Sequence, residues 1–238
     1  MGDFMATDKD VQFQLNLFQG WRLRDDGIEI QFDRLQQQII AALAIYGALS
    51  CQSLGALLWG PAAEAARHLR ITAFMMARQI PDLLVFEGRS VSLADTVSVD
   101  LNHFLVKVAK CEQSNCVSTA DGCLSQLLRV ELLPDWNEDW VVLEQHKLHV
   151  VRLRSLLIHA RRWLTCGEGE MAVKAAGASL ELEPLHESGV ELLMRAELQT
   201  GRPDKAVKTF EGFKTRLASE LKLAPSEYLV RLAEAIRG

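Results

Sequence analysis

Ser50-Cys51-Gln52-Ser53-Leu54-Gly55-Ala56-Leu57-Leu58-Trp59-Gly60-Pro61 sets the fold expected for the first half of the chain. Ser50 is a good helix N-cap, and Leu54, Leu57, Leu58 and Trp59 follow it at helical spacing. Gly60-Pro61 breaks that helix, and Pro61 suits the first turn of the next. Two helices on so short a link form a helix-turn-helix. Upstream, Leu35, Ile39, Ala42, Leu43 and Tyr46 recur every three or four residues until Gly47 stops them. Downstream, a third helix is predicted to reach about Ile80, before Pro81. Leu83–Phe86 and Val91–Leu93 then flank Glu87-Gly88-Arg89-Ser90 as a hairpin.

The chain opens with a different period. Val11 to Phe18 alternates, with Val11, Phe13, Leu15 and Leu17 on one face. Trp21–Arg24 and Ile28–Phe32 follow, the latter with Ile28, Ile30 and Phe32 in phase, and Asp25-Asp26-Gly27 turns between them. Strands, three helices and a hairpin, in that order, are the layout of a winged helix-turn-helix behind an N-terminal sheet. An ordinary small α+β domain fits the same order.

Strand signals end near Leu101. Asp100–Glu112 is predicted as a helix and Gln113–Gly122 as a loop. Asp135 is placed to cap a long helix from Trp136 to about Thr165, with Glu138 completing a capping box. Trp136 and Trp140 share a face of that helix and are expected to be buried in a helical domain. Gly167, Ala172, Val173 and Lys174 recur 34 residues later as Gly201, Ala206, Val207 and Lys208. That interval is the tetratricopeptide period, one helical hairpin per repeat. The expected fold is mainly α with a small β component. Residues 1–100 form the winged-helix domain and 101–238 an all-α, tetratricopeptide-like domain.

Composition bounds the rest. Of 238 residues, 49% are hydrophobic and 24% charged, which excludes disorder as the main state. The longest nearly apolar run, Ile39 to Leu49, is too short to span a bilayer. Met1 to Asp10 has no basic start followed by an apolar run, so a cytoplasmic protein is expected, with no membrane partner. Five cysteines at irregular spacing make a poor disulfide framework.

Three motifs carry a resemblance. Leu133-Pro134-Asp135-Trp136-Asn137-Glu138-Asp139-Trp140, Glu183-Pro184-Leu185-His186-Glu187-Ser188 and Glu220-Leu221-Lys222-Leu223-Ala224-Pro225-Ser226 resemble the bacterial transcriptional activation domain. That domain belongs to the regulators named after streptomycete antibiotic production. The resemblance covers about Val11 to Ile236 and implies a winged helix of the response-regulator type in front. It also implies an activator that binds direct repeats near promoters as a dimer and recruits RNA polymerase. Related chains usually carry Gly where Lys222 stands, as a left-handed helix stop.

The third helix supplies the candidate DNA-reading face. Ala62, Ala66, Leu69, Ala73, Ala77 and Ile80 form its inward stripe. Arg67, His68, Ile71, Thr72, Met75 and Arg78 lie opposite. Arg67 and Arg78 suit phosphate or guanine, Thr72 a base or phosphate, Ile71 and Met75 thymine methyls. Arg70 on the flank suits the DNA backbone, and Arg89 at the hairpin tip suits a minor-groove or phosphate contact. Against this, residues 1–100 hold eight Lys and Arg but twelve Asp and Glu. The competing function is a protein-interaction adaptor whose winged helix no longer binds DNA.

No enzyme is expected: no nucleophile, base and orienting acid assemble from the sequence, and no glycine-rich phosphate loop appears. Cys111, Cys116 and Cys123, with His103 upstream, match no standard zinc spacing. His146 and His149 are three residues apart, too close for a pair of i,i+4 ligands. No cofactor is expected.

Overall fold

The opening hairpin forms where an acidic residue and a glycine can turn the chain. Asp26 and Gly27 take φ of 44° and 84°, the two left-handed positions a tight two-residue hairpin turn requires. The computed structural model describes residues 11–60, 63–113, 124 and 127–237. Its strands are β1 (Phe13–Asn16), β2 (Arg22–Asp25), β3 (Ile28–Ile30), β4 (Leu49–Ser50), β5 (Leu84–Glu87), β6 (Ser90–Leu93) and β7 (Val97–Val99). Its helices are α1 (Arg34–Tyr46), α2 (Cys51–Trp59), α3 (Ala63–Gln79), α4 (Asp100–Gln113), α5 (Asp139–Thr165), α6 (Gly169–Leu182), α7 (Glu187–Gln199), α8 (Pro203–Glu220) and α9 (Glu227–Arg237).

Two sheets form, in the orders β3-β2-β1-β7 and β4-β6-β5. Phe13, Leu15, Leu17 and Leu23 bury the inner face of the first. Val11 and Ile28, expected in phase with these faces, are instead exposed. Ile28 sits at the hairpin end of an edge strand, where none of the described residues covers it. The two-residue β4 and the parallel partner β7 are too short to show a period in sequence.

Caps set the helix starts. Asp33 accepts from the Gln36 amide at 2.9 Å while the Gln36 side chain accepts from the Asp33 amide at 3.1 Å, a complete capping box. Ser50 caps α2 by accepting from the Ser53 amide at 3.0 Å, as expected. Helix α3 buries Leu69, Ala73 and Met76 completely, with Ile80 just beyond its end. Met76 joins the inward stripe, whereas Ala77 is only half-buried. Pro61, Ala62 and the side chain of Ala66 lie outside what is described.

The long helix does not start at Trp136. Pro134 disfavours helix at the residue before it, and Leu133 takes φ of 44°. The Leu133 amide donates to the Leu17 carbonyl at 2.9 Å, and Leu132 bridges Phe18. Residues 133–136 therefore form a turn, closed by the Trp136 amide on the Leu133 carbonyl at 2.9 Å, and α5 begins at Asp139. Glu138 makes no capping box with Asp135. Its carboxylate accepts from Arg34 at 2.8 Å and from Gln38.

This turn changes where the tryptophans belong. The chain divides into one compact unit of Met1–Leu105 with Glu131–Gln145, and another of Val106–Val130 with His146–Gly238. Trp136 and Trp140 are buried as expected, edge to face at 6.2 Å, but in the first unit. Arg34 of α1 stacks 3.7 Å over Trp136, and the Tyr46 ring lies 6.3 Å from Trp140. The Tyr46 hydroxyl donates to Glu144 at 2.7 Å. Burial, then that carboxylate, pushes the Tyr46 phenol well above its ordinary value.

In the second unit the 34-residue repeat is structural. The Gly167 amide donates to Leu164 and the Glu168 amide to Trp163; 34 residues on, Gly201 donates to Leu198 and Arg202 to Glu197. Both glycines have positive φ, the left-handed stop of a Schellman end. Ala172 and Ala206 are each fully buried at the same place in the next helix. Val190, Met194, Ala206, Phe210, Phe213, Leu217, Leu229 and Ala233 make one apolar core across α7, α8 and α9.

The motifs of this unit are architectural. His186 caps α7 by accepting from the Gly189 amide at 3.3 Å. A Cβ on Gly189 would lie 2.8 Å from Ser179 Oγ, so only glycine lets α6 and α7 meet there. Glu187 accepts from the Ser226 amide at 3.1 Å and from its hydroxyl, joining two motifs 39 residues apart. Lys222 holds the left-handed stop with φ of 58°.

Candidate nucleic-acid interface

Helix α3 presents two faces because its sequence alternates at helical spacing. At about 100° per residue, Arg67, Arg70, Ile71, Phe74, Met75 and Arg78 fall within an arc of roughly 140°, opposite Leu69, Ala73 and Met76. All six are exposed. Phe74 is the one of these not expected on the exposed face from the sequence, because a phenylalanine is by default a core residue. Its spacing from Ile71 and Arg78, on the side away from Leu69, was the signal that places it outward.

The wing brings a further cation. Gly88, with φ of 60°, turns β5 into β6 and leaves Arg89 at the exposed tip. Arg67, Arg70 and Arg89 line one groove of about 610 Å³, floored by Ser50, Cys51 and Gln52 at the start of α2. A helix N-terminus adds partial positive charge and free amides there. Among the described residues, no carboxylate lines the groove and none pairs with Arg67, Arg70, Arg78 or Arg89. Such an arrangement is chemically suited to phosphate oxygens.

The remaining candidates lie outside that groove. Ile71, Met75 and Arg78 sit further along the exposed face of α3, and His68 is exposed beside them. The Thr72 hydroxyl donates to the His68 carbonyl at 3.1 Å, which spends its one donor within the helix. Cys111 is buried, while Cys116 and Cys123 lie outside the described residues. His103 faces the Ser98 hydroxyl at 3.5 Å, and His146 stacks on His149 at 6.3 Å. Among the described residues, no three His, Cys, Asp or Glu side chains gather as a metal site. Among them too, no helix is long and apolar enough to cross a membrane.

A helix-turn-helix with a wing is followed along the chain by repeated helical hairpins. The family model for the bacterial transcriptional activator domain matches residues 111–237. The chain belongs to that family. Among solved structures it is similar to Mycobacterium tuberculosis EmbR, captured in complex with a low affinity phosphopeptide. The TM-score is 0.73 at 20% identity, over 95% of this chain and 65% of that one. The chain thus spans just under two thirds of the length of EmbR. Comparison with curated proteins gives no match.

Proposed function

We propose that the chain activates transcription by reading double-stranded promoter DNA with α3 and the β5–β6 wing. The observation that carries this reading is the groove in which Arg67 and Arg70 meet Arg89 over the start of α2. Phosphate neutralisation supplies most non-specific affinity for DNA. The domain's cations are few, so gathering three of them on one groove places attraction where the duplex backbone would run. Arg78 suits a guanine, while Thr72 and His68 are secondary.

The helical-repeat unit would hold a homodimer on direct repeats and offer a surface to RNA polymerase. A head-to-tail pair places its sites about whole helical turns apart. The protein would act in the cytoplasm, at the nucleoid, without a cofactor. The adaptor reading draws on one observation, the exposed Ile71, Phe74 and Met75 on the same face.

Selection from sheared genomic DNA separates the two. The full chain should retain fragments carrying a repeated motif upstream of genes, and Arg67→Ala/Arg70→Ala/Arg89→Ala should lose them. Retention of no fragment by the wild type, or unchanged retention by the triple variant, contradicts the reading.

A further inference from the structure

We propose that the half-site read by α3 has a thymine-bearing core, recognised through the 5-methyl groups of successive thymines. This rests on the DNA-reading function proposed above and names the class of sequence it takes. Ile71, Phe74 and Met75 are 52%, 58% and 59% exposed, on a helix that buries Leu69 and Met76 completely. Three large apolar side chains at positions i, i+3 and i+4 form one contiguous patch. Contiguous apolar surface rimmed by polar residues is where partners and ligands dock when the patch is large enough.

The charges around the patch state what covers it. Arg67 and Arg70 lie at its N-terminal end, where Arg89 joins them in the groove, and Arg78 lies at its C-terminal end. An apolar centre flanked by guanidinium groups that, among the described residues, pair with no carboxylate matches a duplex groove, with bases in the middle and phosphates along the edges. Ile71 and Phe74 have no donor or acceptor, and the Met75 thioether is only a weak acceptor. None of them can read guanine, adenine or cytosine through hydrogen bonds. The one apolar group that a base pair offers in the major groove is the thymine methyl.

Spacing sets the length of the core. From Ile71 to Met75 the helix rises roughly 6 Å, close to two base-pair steps of about 3.4 Å. The patch therefore covers two or three successive pairs. Arg78, one turn further on, reaches the next pair and prefers guanine there.

Deoxyuridine tests this, since it lacks only the methyl group and keeps every hydrogen bond of thymine. A random-duplex selection with the full chain first supplies a binding sequence. Anisotropy titrations then compare that duplex with copies carrying deoxyuridine at each core position. We expect a selected core with two or three thymines, and about fourfold weaker binding per deoxyuridine, the worth of one buried methyl. Ile71→Ala/Phe74→Ala/Met75→Ala should bind both duplexes equally while keeping the salt dependence of the wild type. Tight binding that is indifferent to deoxyuridine, or a core without thymine, overturns the proposal and leaves the DNA-reading function standing. Failure of the wild type to bind any duplex overturns that function instead.

Discussion

Glu138 carries the hydrogen bonds and charge that fasten the Leu133–Trp140 segment to α1. Burial alone would raise its pKa. Its own backbone amide, Gln38 and the Arg34 guanidinium outweigh that and hold the carboxyl below its ordinary value. A carboxylate depressed in the folded state adds stability above its unfolded pKa and loses it as pH falls through the folded one. Arg34 is 47% exposed, so solvent screening limits the contribution, to about 0.5–1 kcal/mol. We expect Glu138→Gln to lower the melting temperature at pH 7, and the gap from wild type to close as pH falls below about 4. A gap that persists unchanged at pH 3 would remove the charge from the account. Lys222 makes a second test at this scale. Its left-handed backbone strains any residue with a Cβ, so Lys222→Gly should stabilise the fold by about 1 kcal/mol and raise the urea midpoint. A lowered midpoint in urea titration would show that the Lys222 ammonium on the Ser219 carbonyl matters more than the strain.

At the scale of elements, the tryptophan turn decides which parts fold together. Trp140 is 6% exposed in the first unit, and its truncation should cost about 3–5 kcal/mol. Hydrogen exchange should show α1 losing protection in Trp140→Ala while α8 keeps it. Loss confined to α8 would return the tryptophans to the helical-repeat unit. For the same reason a fragment ending at Asp100 should be poorly folded, lacking Trp136, Trp140, Glu138 and the Leu132 bridge. The sequence could not show this. Leu-Pro-Asp-Trp followed by a glutamate three residues after the aspartate has the signature of a capping box, and only tertiary partners on α1 divert Glu138 from it. Where local rules act alone, the reading succeeded. Ser50 caps α2, Asp-Gly turns the first hairpin, and Gly167 and Gly201 end helices 34 residues apart. Gly189→Ala belongs to this scale too. It should destabilise the second unit by about 1–3 kcal/mol through the contact with Ser179 and Leu180, and an unchanged denaturation midpoint would show that α6 and α7 can separate freely.

For the whole molecule, the architecture was legible and the interface only partly so. Period changes and the 34-residue repeat mark the elements, but a helical wheel does not say which cations meet. Arg67 and Arg89 are 22 positions apart in sequence, and the hairpin alone brings them to one groove. Phe74 is not legible as outward-facing because a phenylalanine is by default read as core, and its 58% exposure in the structure places it there. We propose that this groove grips the duplex backbone, and the salt dependence of binding measures that grip. Full chain and Arg67→Ala/Arg70→Ala/Arg89→Ala are titrated by anisotropy on a selected two-repeat duplex between 50 and 300 mM salt. These concentrations span roughly the range in which phosphate contacts dominate. Each lost phosphate contact should reduce the slope of log affinity against log salt by about 0.9 per domain bound. The triple variant should bind more weakly, with a slope nearly three contacts shallower per domain. Equal slopes for the two proteins would contradict the proposed grip.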